Sequence, residues 1–314
     1  MNSLVVLGSS SFLGKTLLNN IGDDFLVKAV VRKIPSDIDK YDKRVEWIKV
    51  DNINSSSLIN IFAKDDVVIN LIYIRDDDKN TNISLINNII EACIISEVSR
   101  LIHCSTASVV GDVKTQYINE LTPCNPKTHY EKVKMNIEEI VLNSLSKGVD
   151  VGILRPTAIV GHGGKNLQKL ANSLIYGNKF TNYLKTCVLG RMPMHLVPAR
   201  NVVGALMFLA LFKKKLNGNI FIISEDRDSD NNFQKIEEIL INELNLKQGK
   251  IPYIFLPTIL QSLLFKFLKR TDLNINRTYD SKKIKEYGFK TTDTIKKAIH
   301  QFSQSIKISL NNDN

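Results

Sequence analysis

Short apolar segments that alternate with helical ones constrain the fold of this chain more than any other feature. Each apolar segment is rich in valine, isoleucine and leucine, and several show no alternation of apolar with polar residues. The segments lie at residues 3–7, 25–31, 45–50, 67–72, 100–104, 149–154 and 219–223. Strands that are apolar on both faces are typical of parallel sheets covered by helices. The alternation therefore predicts an α/β fold with a right-handed, doubly wound parallel sheet.

Beyond residue 160 the alternation loosens, and helical patterns dominate. They fall at 167–176, 199–212, 232–244, 258–268 and 292–307. We expect residues 1–160 and about 195–224 to form the sheet domain. Residues of about 161–194 and 225–314 would form a smaller, mostly helical substrate lobe over the ends of the strands, where ligands bind in open α/β sheets.

The segment 258–268 has an apolar stripe followed by basic residues. The stripe consists of Leu260, Leu263, Leu264, Phe267 and Leu268, and the basic residues are Lys266, Lys269 and Arg270. This pattern fits either a helix at a membrane interface or a core helix of the smaller lobe. Its length and spacing are ordinary for a core helix, which is the interpretation we favour.

The composition is that of a globular protein with a basic balance. Apolar residues make up 43% of the chain and charged residues 24%, with a net charge of +10. We expect the surplus positive charge to be dispersed along the chain, without basic arms, which favours a phosphorylated small ligand over nucleic acid. The four cysteines have no metal-binding spacing, so we expect reduced thiols, no metal and a cytoplasmic location. No apolar run approaches the roughly 20 residues of a membrane span, and no signal peptide is evident.

The first apolar strand runs directly into a turn of glycine and serine. The sequence there is Gly8-Ser9-Ser10-Ser11-Phe12-Leu13-Gly14, followed by a helix. Gly8 permits a tight turn, small residues let backbone N–H groups approach a pyrophosphate, and Gly14 lets the helix pack closely on the strand. Because the turn lies between strand and helix, we interpret it as a dinucleotide site rather than an ordinary loop.

Charged residues follow the second and third strands. Arg32 stands near the position where an acidic residue would bind the adenosine ribose of NAD. A basic residue there suits the 2′-phosphate of NADP, although a solvated strand-end charge is the alternative. Asp51, followed by Asn52, could meet the adenine amino group or cap a turn.

A tyrosine and a lysine one helical turn apart are the candidate reactive groups. Tyr130 and Lys134 lie on one helix face. An ammonium group nearby lowers a tyrosine pKa from about 10 towards the range useful for proton transfer. This pair also arises by chance in amphipathic helices, so its interpretation depends on the nucleotide motif. A hydroxyl after the strand at 100–104, within Ser105-Thr106-Ala107-Ser108, could polarise a substrate oxygen.

These motifs occur in the order seen in the extended short-chain dehydrogenase/reductases. The chain resembles the nucleotide-sugar epimerase and ketoreductase branch, within the NAD-dependent epimerase/dehydratase family. The resemblance rests on Gly8 to Gly14, residues 105–111, Tyr130 with Lys134, and Arg155-Pro156-Thr157, and it extends to Tyr279-Asp280-Ser281 and Tyr287-Gly288-Phe289. It implies a Rossmann fold and the cofactor NADP, with NAD as the alternative.

The resemblance also assigns roles to individual residues. Tyr130 would be the proton donor or base, Lys134 would hold the nicotinamide ribose, and Thr106 would stand for the catalytic hydroxyl. The expected cofactor contacts are Gly8, Ser10, Ser11, Phe12, Leu13, Gly14, Arg32, Asp51, Asn52, Leu71, Tyr130, Lys134 and Pro156. The expected substrate contacts are Thr106, Asn166 and Arg191.

The chain departs from the family pattern at several positions. Ser11 replaces the middle glycine of the phosphate turn, and Val110 replaces a common tyrosine. Ala107 and Ser108 stand where sugar dehydratases carry an acidic pair, which argues against dehydration. Ala158 stands near the place of an asparagine that holds a substrate diphosphate, and Asn201 replaces a frequent aspartate.

Together these features predict an NAD(P)-dependent enzyme that acts on a nucleotide-activated sugar, for example in polysaccharide biosynthesis. The reaction would be 4-keto reduction or C4 epimerisation, and Arg32 favours the reductase. The alternatives are an NADP-linked reductase of a non-nucleotide alcohol or ketone, and a non-catalytic NADP-binding regulatory protein. We expect a homodimer that pairs the helices at 80–97 and 127–147.

Overall fold

A seven-stranded parallel sheet forms the centre of the computed structural model, which describes residues 3–22, 26–74, 79–247, 252–267 and 277–312. Its strands are β1 (Ser3–Leu7), β2 (Leu26–Val31), β3 (Val45–Lys49), β4 (Val67–Asn70), β5 (Arg100–Cys104), β7 (Val151–Pro156) and β10 (Ile220–Ile223). The spatial order is β10-β7-β5-β4-β1-β2-β3. This confirms the predicted doubly wound sheet, although Phe25, at the start of the predicted second strand, lies outside the described residues.

Helices cover both faces of the sheet. The helices are α1 (Phe12–Leu18), α2 (Ser55–Ile59), α3 (Lys79–Ile95), α4 (His129–Asn143), α5 (Gln168–Tyr176), α6 (Lys179–Leu189), α7 (Ala199–Leu211), α8 (Phe233–Glu243), α9 (Thr258–Phe267), α10 (Lys282–Glu286) and α11 (Ile295–Asn312). One buried core packs α1 and α7 on the sheet, and the other packs α2, α3 and α4 on the opposite face. The strands are thus buried on both sides, as their apolar sequences predict.

Four short strands form two pairs outside the main sheet. They are β6 (Tyr117–Ile118) with β11 (Thr278–Tyr279), and β8 (Ala158–Val160) with β9 (Leu196–Pro198). The sequence indicates a strand at Leu196-Val197, which is β9, but it predicts neither pairing, because two or three residues carry no detectable periodicity. The helix α6 was also missed, since Gly177 separates it from α5 by only a short turn.

A third core joins elements outside the main sheet. Its buried side chains include Leu167 just before α5, Ala171 of α5, Ile236 and Leu240 of α8, and Phe302 of α11. We refer to α5, α6, α8, α9 and α11 as the helical region. In the described parts of the chain, no helix is long and apolar enough to cross a bilayer.

The helix α9 corrects one prediction. We expected its apolar stripe to be core, but Leu260, Leu263 and Phe267 are 51%, 55% and 85% exposed. The buried side of α9 is instead formed by Gln261 and Phe265. The Gln261 amide is satisfied there because its Nε2 donates to the carbonyl oxygen of Val188 at 2.6 Å. Leu268, Lys269 and Arg270 lie outside the described residues.

Candidate active site

The turn after β1 has the tight geometry that its sequence predicts. Gly8 has φ +87°, in the left-handed region that favours glycine. Ser11 caps α1, since its Oγ accepts a hydrogen bond from Gly14 N at 3.1 Å. A Cβ on Gly14 would lie 2.4 Å from the Gly8 carbonyl oxygen and 2.6 Å from Ser9 Cα. The predicted residues Ser10, Phe12 and Leu13 therefore belong to a turn that is closed against its own helix.

The strand order makes this turn the natural ligand position. The chain runs from β1 outward through β2 and β3 and then returns to β4, on the other side of β1. Ligands of open α/β sheets bind at such a switch point, at the carboxyl ends of the strands. Leu71, predicted as a cofactor contact, lies there, and its N–H donates to the Leu7 carbonyl oxygen at 3.0 Å.

The predicted charged contacts lie at the same edge of the sheet. Arg32 directly follows β2 and is exposed. Asp51 forms a surface ion pair with Lys49 at 3.1 Å, and Asn52 is exposed beside it. Asp51 does not cap the next helix, because Asn54 does so through the N–H of Ser57. Pro156 ends β7 and is buried.

The helix α4 begins at a capping box and brings its reactive groups against β5. The Thr128 side chain accepts from Glu131 N, and the Glu131 side chain accepts from Thr128 N. Tyr130, in the first turn, is 40% exposed, whereas Lys134 is 3% exposed. The Lys134 Nζ donates to the carbonyl oxygen of Cys104 at 3.0 Å. The end of β5 thus positions the lysine one turn below an accessible tyrosine.

Tyr73 completes this cluster and was not predicted. Its ring meets the Tyr130 ring edge-on, with 5.1 Å between the centroids. The Lys134 Nζ lies 5.2 Å from the Tyr73 centroid. Tyr73 follows β4, so the only sequence signal was its position just after an apolar strand at the carboxyl edge.

Hydroxyl groups follow β5, the strand whose last carbonyl oxygen accepts from Lys134. Thr106 Oγ1 lies 2.9 Å from Ser108 Oγ and accepts from Ser108 N at 3.2 Å. Ser105 Oγ is buried with no hydrogen-bond partner among the described residues. A buried hydroxyl without a partner costs free energy unless a bound group completes it.

Burial sets the electrostatics of the cluster. It lowers the pKa of the Lys134 ammonium, because a charged group is disfavoured away from water. The pKa of His103, within β5, is held well below its ordinary value by burial and then by Lys134. His103 Nδ1 lies 3.2 Å from Asn70 Nδ2. A neutral imidazole therefore lies beneath the lysine.

A histidine–aspartate pair faces the far end of the same sheet edge. His195 Nδ1 lies 2.6 Å from Asp226 Oδ2, and Asp226 also accepts from Ser224 Oγ at 2.7 Å and from Tyr279 N at 2.8 Å. The Tyr279 ring meets the imidazole edge-on at 5.1 Å. The sequence indicated Tyr279 only as part of a motif, and nothing in the pattern linked it or His195 to Asp226.

The predicted substrate contacts Asn166 and Arg191, which lie just before α5 and just after α6, each interact with another residue of the chain. Asn166 Nδ2 donates to the Ile159 carbonyl oxygen at 2.8 Å. The Arg191 guanidinium lies 5.1 Å from the centre of the Phe255 ring. Arg191 is exposed, so its charge remains accessible.

The cysteines are free thiols. Cys93 and Cys104 are buried, and burial raises the pKa of the Cys104 thiol to about 11. Within the described ranges, no three histidine, cysteine or acidic side chains are grouped to hold a metal ion.

The residues present fit a nicotinamide dinucleotide. Gly8 has a positive φ, and Gly14 has no room for a Cβ, so the turn has the tight form that a pyrophosphate cradle takes. The switch point lies between β1 and β4, and the unpartnered Ser105 hydroxyl lies at the adjacent strand end. Gly8, Ser11 and Gly14 would hold the diphosphate, and Lys134 with Tyr130 would meet the nicotinamide side.

Comparison with known families agrees with this architecture. The family model "NAD dependent epimerase/dehydratase family" matches residues 4–221. No curated protein matches the chain.

Solved structures share the fold over nearly the whole chain. UDP-N-acetylglucosamine 4-epimerase from Bacillus cereus is 19% identical, with a TM-score of 0.68 over 98% of this chain and 100% of that one. UDP-glucuronic acid 4-epimerase from Bacillus cereus in complex with NAD is 16% identical, with a TM-score of 0.69 over 97% and 96%. RMD from Pseudomonas aeruginosa complexed with NADPH is 16% identical, with a TM-score of 0.65 over 97% and 99%.

Proposed function

Since the chain belongs to the NAD dependent epimerase/dehydratase family, we propose that it is an NAD(P)-dependent enzyme that reduces or epimerises C4 of a nucleotide-activated sugar. The observation that carries this proposal is the cluster at the end of β5. There Lys134 Nζ donates to the Cys104 carbonyl oxygen, one helical turn from the accessible Tyr130, and Thr106 follows Cys104 by two residues.

The bound nicotinamide supplies or accepts a hydride at the sugar carbon. In the reduction, Tyr130 donates a proton to the ketone oxygen while Thr106 donates a hydrogen bond to it. The Lys134 ammonium favours the phenolate that remains and so lowers the barrier to proton transfer. In an epimerisation, Tyr130 first accepts the alcohol proton. It returns the proton after the ketone has turned its opposite face towards the nicotinamide.

Two sequence features support a narrower choice of reaction and of nucleotide. Ala107 and Ser108 follow Thr106 and offer no acid for elimination of water, which supports a reductase or epimerase over a dehydratase. Arg32 is exposed at the end of β2, where a 2′-phosphate would lie, which supports NADPH and therefore net reduction. Solved relatives include both an NAD and an NADPH complex, so the nucleotide is part of the proposal.

The names of the solved relatives support the proposed substrate class. The 4-epimerases among them act on UDP-N-acetylglucosamine and UDP-glucuronic acid. We propose a substrate of that class, bound over the carboxyl edge between Tyr130 and the His195–Asp226 pair, with Arg191 available to a diphosphate. The expected dimer would pair α3 and α4, which pack against each other on one face of the sheet, across a two-fold axis.

The test compares wild-type protein with Tyr130→Phe, using Tyr176→Phe as the matched control. Each is assayed with UDP-sugars for epimerisation by NMR, and with 4-keto sugar nucleotides for oxidation of NADPH. Loss of the phenol should reduce turnover by about 100- to 10,000-fold, while nucleotide binding remains and the control is unchanged. Turnover that survives in Tyr130→Phe would refute the assigned role.

A further inference from the structure

Exposed apolar side chains are concentrated on the helical region. Among the described residues, eighteen large apolar side chains are exposed, and eight of them fall on α5, α6, α9 and the segment before α9. We call these eight the apolar face: Tyr176, Phe180, Leu184, Ile254, Ile259, Leu260, Leu263 and Phe267. Exposed apolar side chains gathered on neighbouring elements mark an interaction site more often than scattered single residues do.

The elements that carry the apolar face are packed on one another. Tyr183 OH donates to the Pro252 carbonyl oxygen at 3.0 Å, and the Tyr183 and Tyr253 rings stack at 5.5 Å. Leu256 N donates to the Cys187 carbonyl oxygen at 2.9 Å. The α9 helix is thereby fixed against α6, with Gln261 and Phe265 inward and the stripe outward.

The two sequence segments that contain this face carry basic residues and no acidic ones. Between residues 151 and 224 the sequence has ten lysines and arginines and no aspartate or glutamate, and between 244 and 271 it has five and none. The whole chain carries only +10, so the remaining residues are net negative. The basic surplus is therefore concentrated, and our expectation of a dispersed surplus was wrong.

Several of these cations border the apolar face. Lys169 on α5, and Lys179 and Lys185 on α6, are all exposed. Neither α5, α6 nor residues 252–267 contain an acidic residue. A surface with exposed leucine, isoleucine and phenylalanine side chains and a basic border is complementary to an anionic lipid surface, where headgroups meet the cations and acyl chains meet the apolar groups.

We propose that the helical region docks peripherally on anionic membranes through the apolar face, with α9 lying in the interface. A second copy of this chain fits less well, because two like faces would bring their lysines together. The proposal uses none of the residues assigned to the Tyr130 cluster, so it stands or fails independently of the proposed enzymatic function.

The test measures flotation of the full chain with lipid vesicles. One set contains phosphatidylcholine alone, and the other an equal mixture of phosphatidylcholine and phosphatidylglycerol. The face variant is Leu260→Ser, Leu263→Ser and Phe267→Ser together. The matched control is Leu121→Ser, Leu211→Ser and Ile308→Ser, whose side chains are 89%, 47% and 55% exposed elsewhere on the surface. A charge variant, Lys179→Glu with Lys185→Glu, tests whether the basic residues beside the apolar face contribute to vesicle binding.

Wild-type protein and the matched control should float with the anionic vesicles and be partly released by high salt. The face variant should lose roughly tenfold or more in binding, and the charge variant should lose the preference for phosphatidylglycerol. All variants must retain the wild-type unfolding midpoint. The proposal is overturned if the wild type binds neither vesicle, or if the control loses binding as fully as the face variant. It is also overturned if the face variant only converts an oligomer into monomers, because the face would then bind a second copy.

Discussion

The Arg155 guanidinium forms a salt bridge with the Glu138 carboxylate, with an Nη2–Oε2 distance of 2.5 Å, and both residues are almost completely buried. Arg155 Nε also lies 3.0 Å from Oε1. Glu138 is one turn beyond Lys134 on α4, and Arg155 belongs to β7. The pair therefore attaches the helix that carries Tyr130 and Lys134 to the sheet.

Replacing Glu138 by glutamine should destabilise the protein strongly, because it leaves the buried Arg155 charge without a countercharge. We expect a loss of about 3 to 5 kcal/mol in the free energy of unfolding, measured by chemical denaturation. Glu139→Gln, on the exposed side of the same helix, should change it little. Equal effects of the two substitutions would show that the ion pair does not hold α4.

Asn201 should not be replaceable by the aspartate that the family often has there. Its Nδ2 donates to Glu225 Oε1 at 3.0 Å and to the Asp293 carbonyl oxygen at 2.8 Å, and its Oδ1 accepts from Asp293 N at 2.9 Å. Asn201→Asp removes both donors and places a carboxylate against Glu225. We expect a loss of about 2 to 4 kcal/mol at neutral pH.

That loss should shrink as the pH falls. Burial already raises the pKa of Glu225, and a second carboxylate beside it raises the folded-state pKa of the pair further. The folded variant then binds protons more tightly than the unfolded chain, so its stability increases towards acidic pH. Denaturation at several pH values, with the exposed Asn87→Asp as control, measures this. A pH-independent loss would contradict the argument.

The fold and the candidate site were predictable from the sequence to different degrees. The strands β1 and β4 are almost entirely apolar, so their burial and parallel arrangement could be predicted from the sequence. The Tyr130–Lys134 spacing also fixed their common helix face. The roles of Tyr73 and Asp226 could not be predicted from the sequence, because each contacts residues that are distant from it along the chain. The orientation of α9 was predicted wrongly, since an apolar stripe indicates which side is apolar but not whether anything covers it.

Gly14→Ala should abolish the nucleotide turn while Gly204→Ala should not. A Cβ at Gly14 would lie 2.4 Å from Gly8 O, and the Gly8–Ser9 backbone cannot yield without opening the turn. We expect nucleotide affinity to fall roughly a hundredfold. A Cβ at Gly204, inside α7, meets only the Phe289 ring at 3.4 Å, so alanine there should stabilise the helix by about 0.5 to 1 kcal/mol. Unchanged affinity in Gly14→Ala would place the nucleotide elsewhere.

Arg32→Ser should weaken NADPH binding by roughly tenfold and leave NADH binding nearly unchanged, because only NADPH carries the 2′-phosphate that would pair with the guanidinium. Lys33→Ser is the matched control, since Lys33 is the exposed neighbouring cation. Isothermal titration with each nucleotide measures both. If the two substitutions act alike, the effect is one of general surface charge.

The measurement that tests the central claim most directly is titration of the purified wild-type protein with NADPH and with NADH, following nicotinamide fluorescence. We predict saturable binding of both at one site, with NADPH bound more tightly, and loss of both signals in Gly14→Ala. Binding of neither nucleotide would contradict the assignment of the Gly8–Gly14 turn and the Tyr130–Lys134 cluster to a nicotinamide-dependent enzyme.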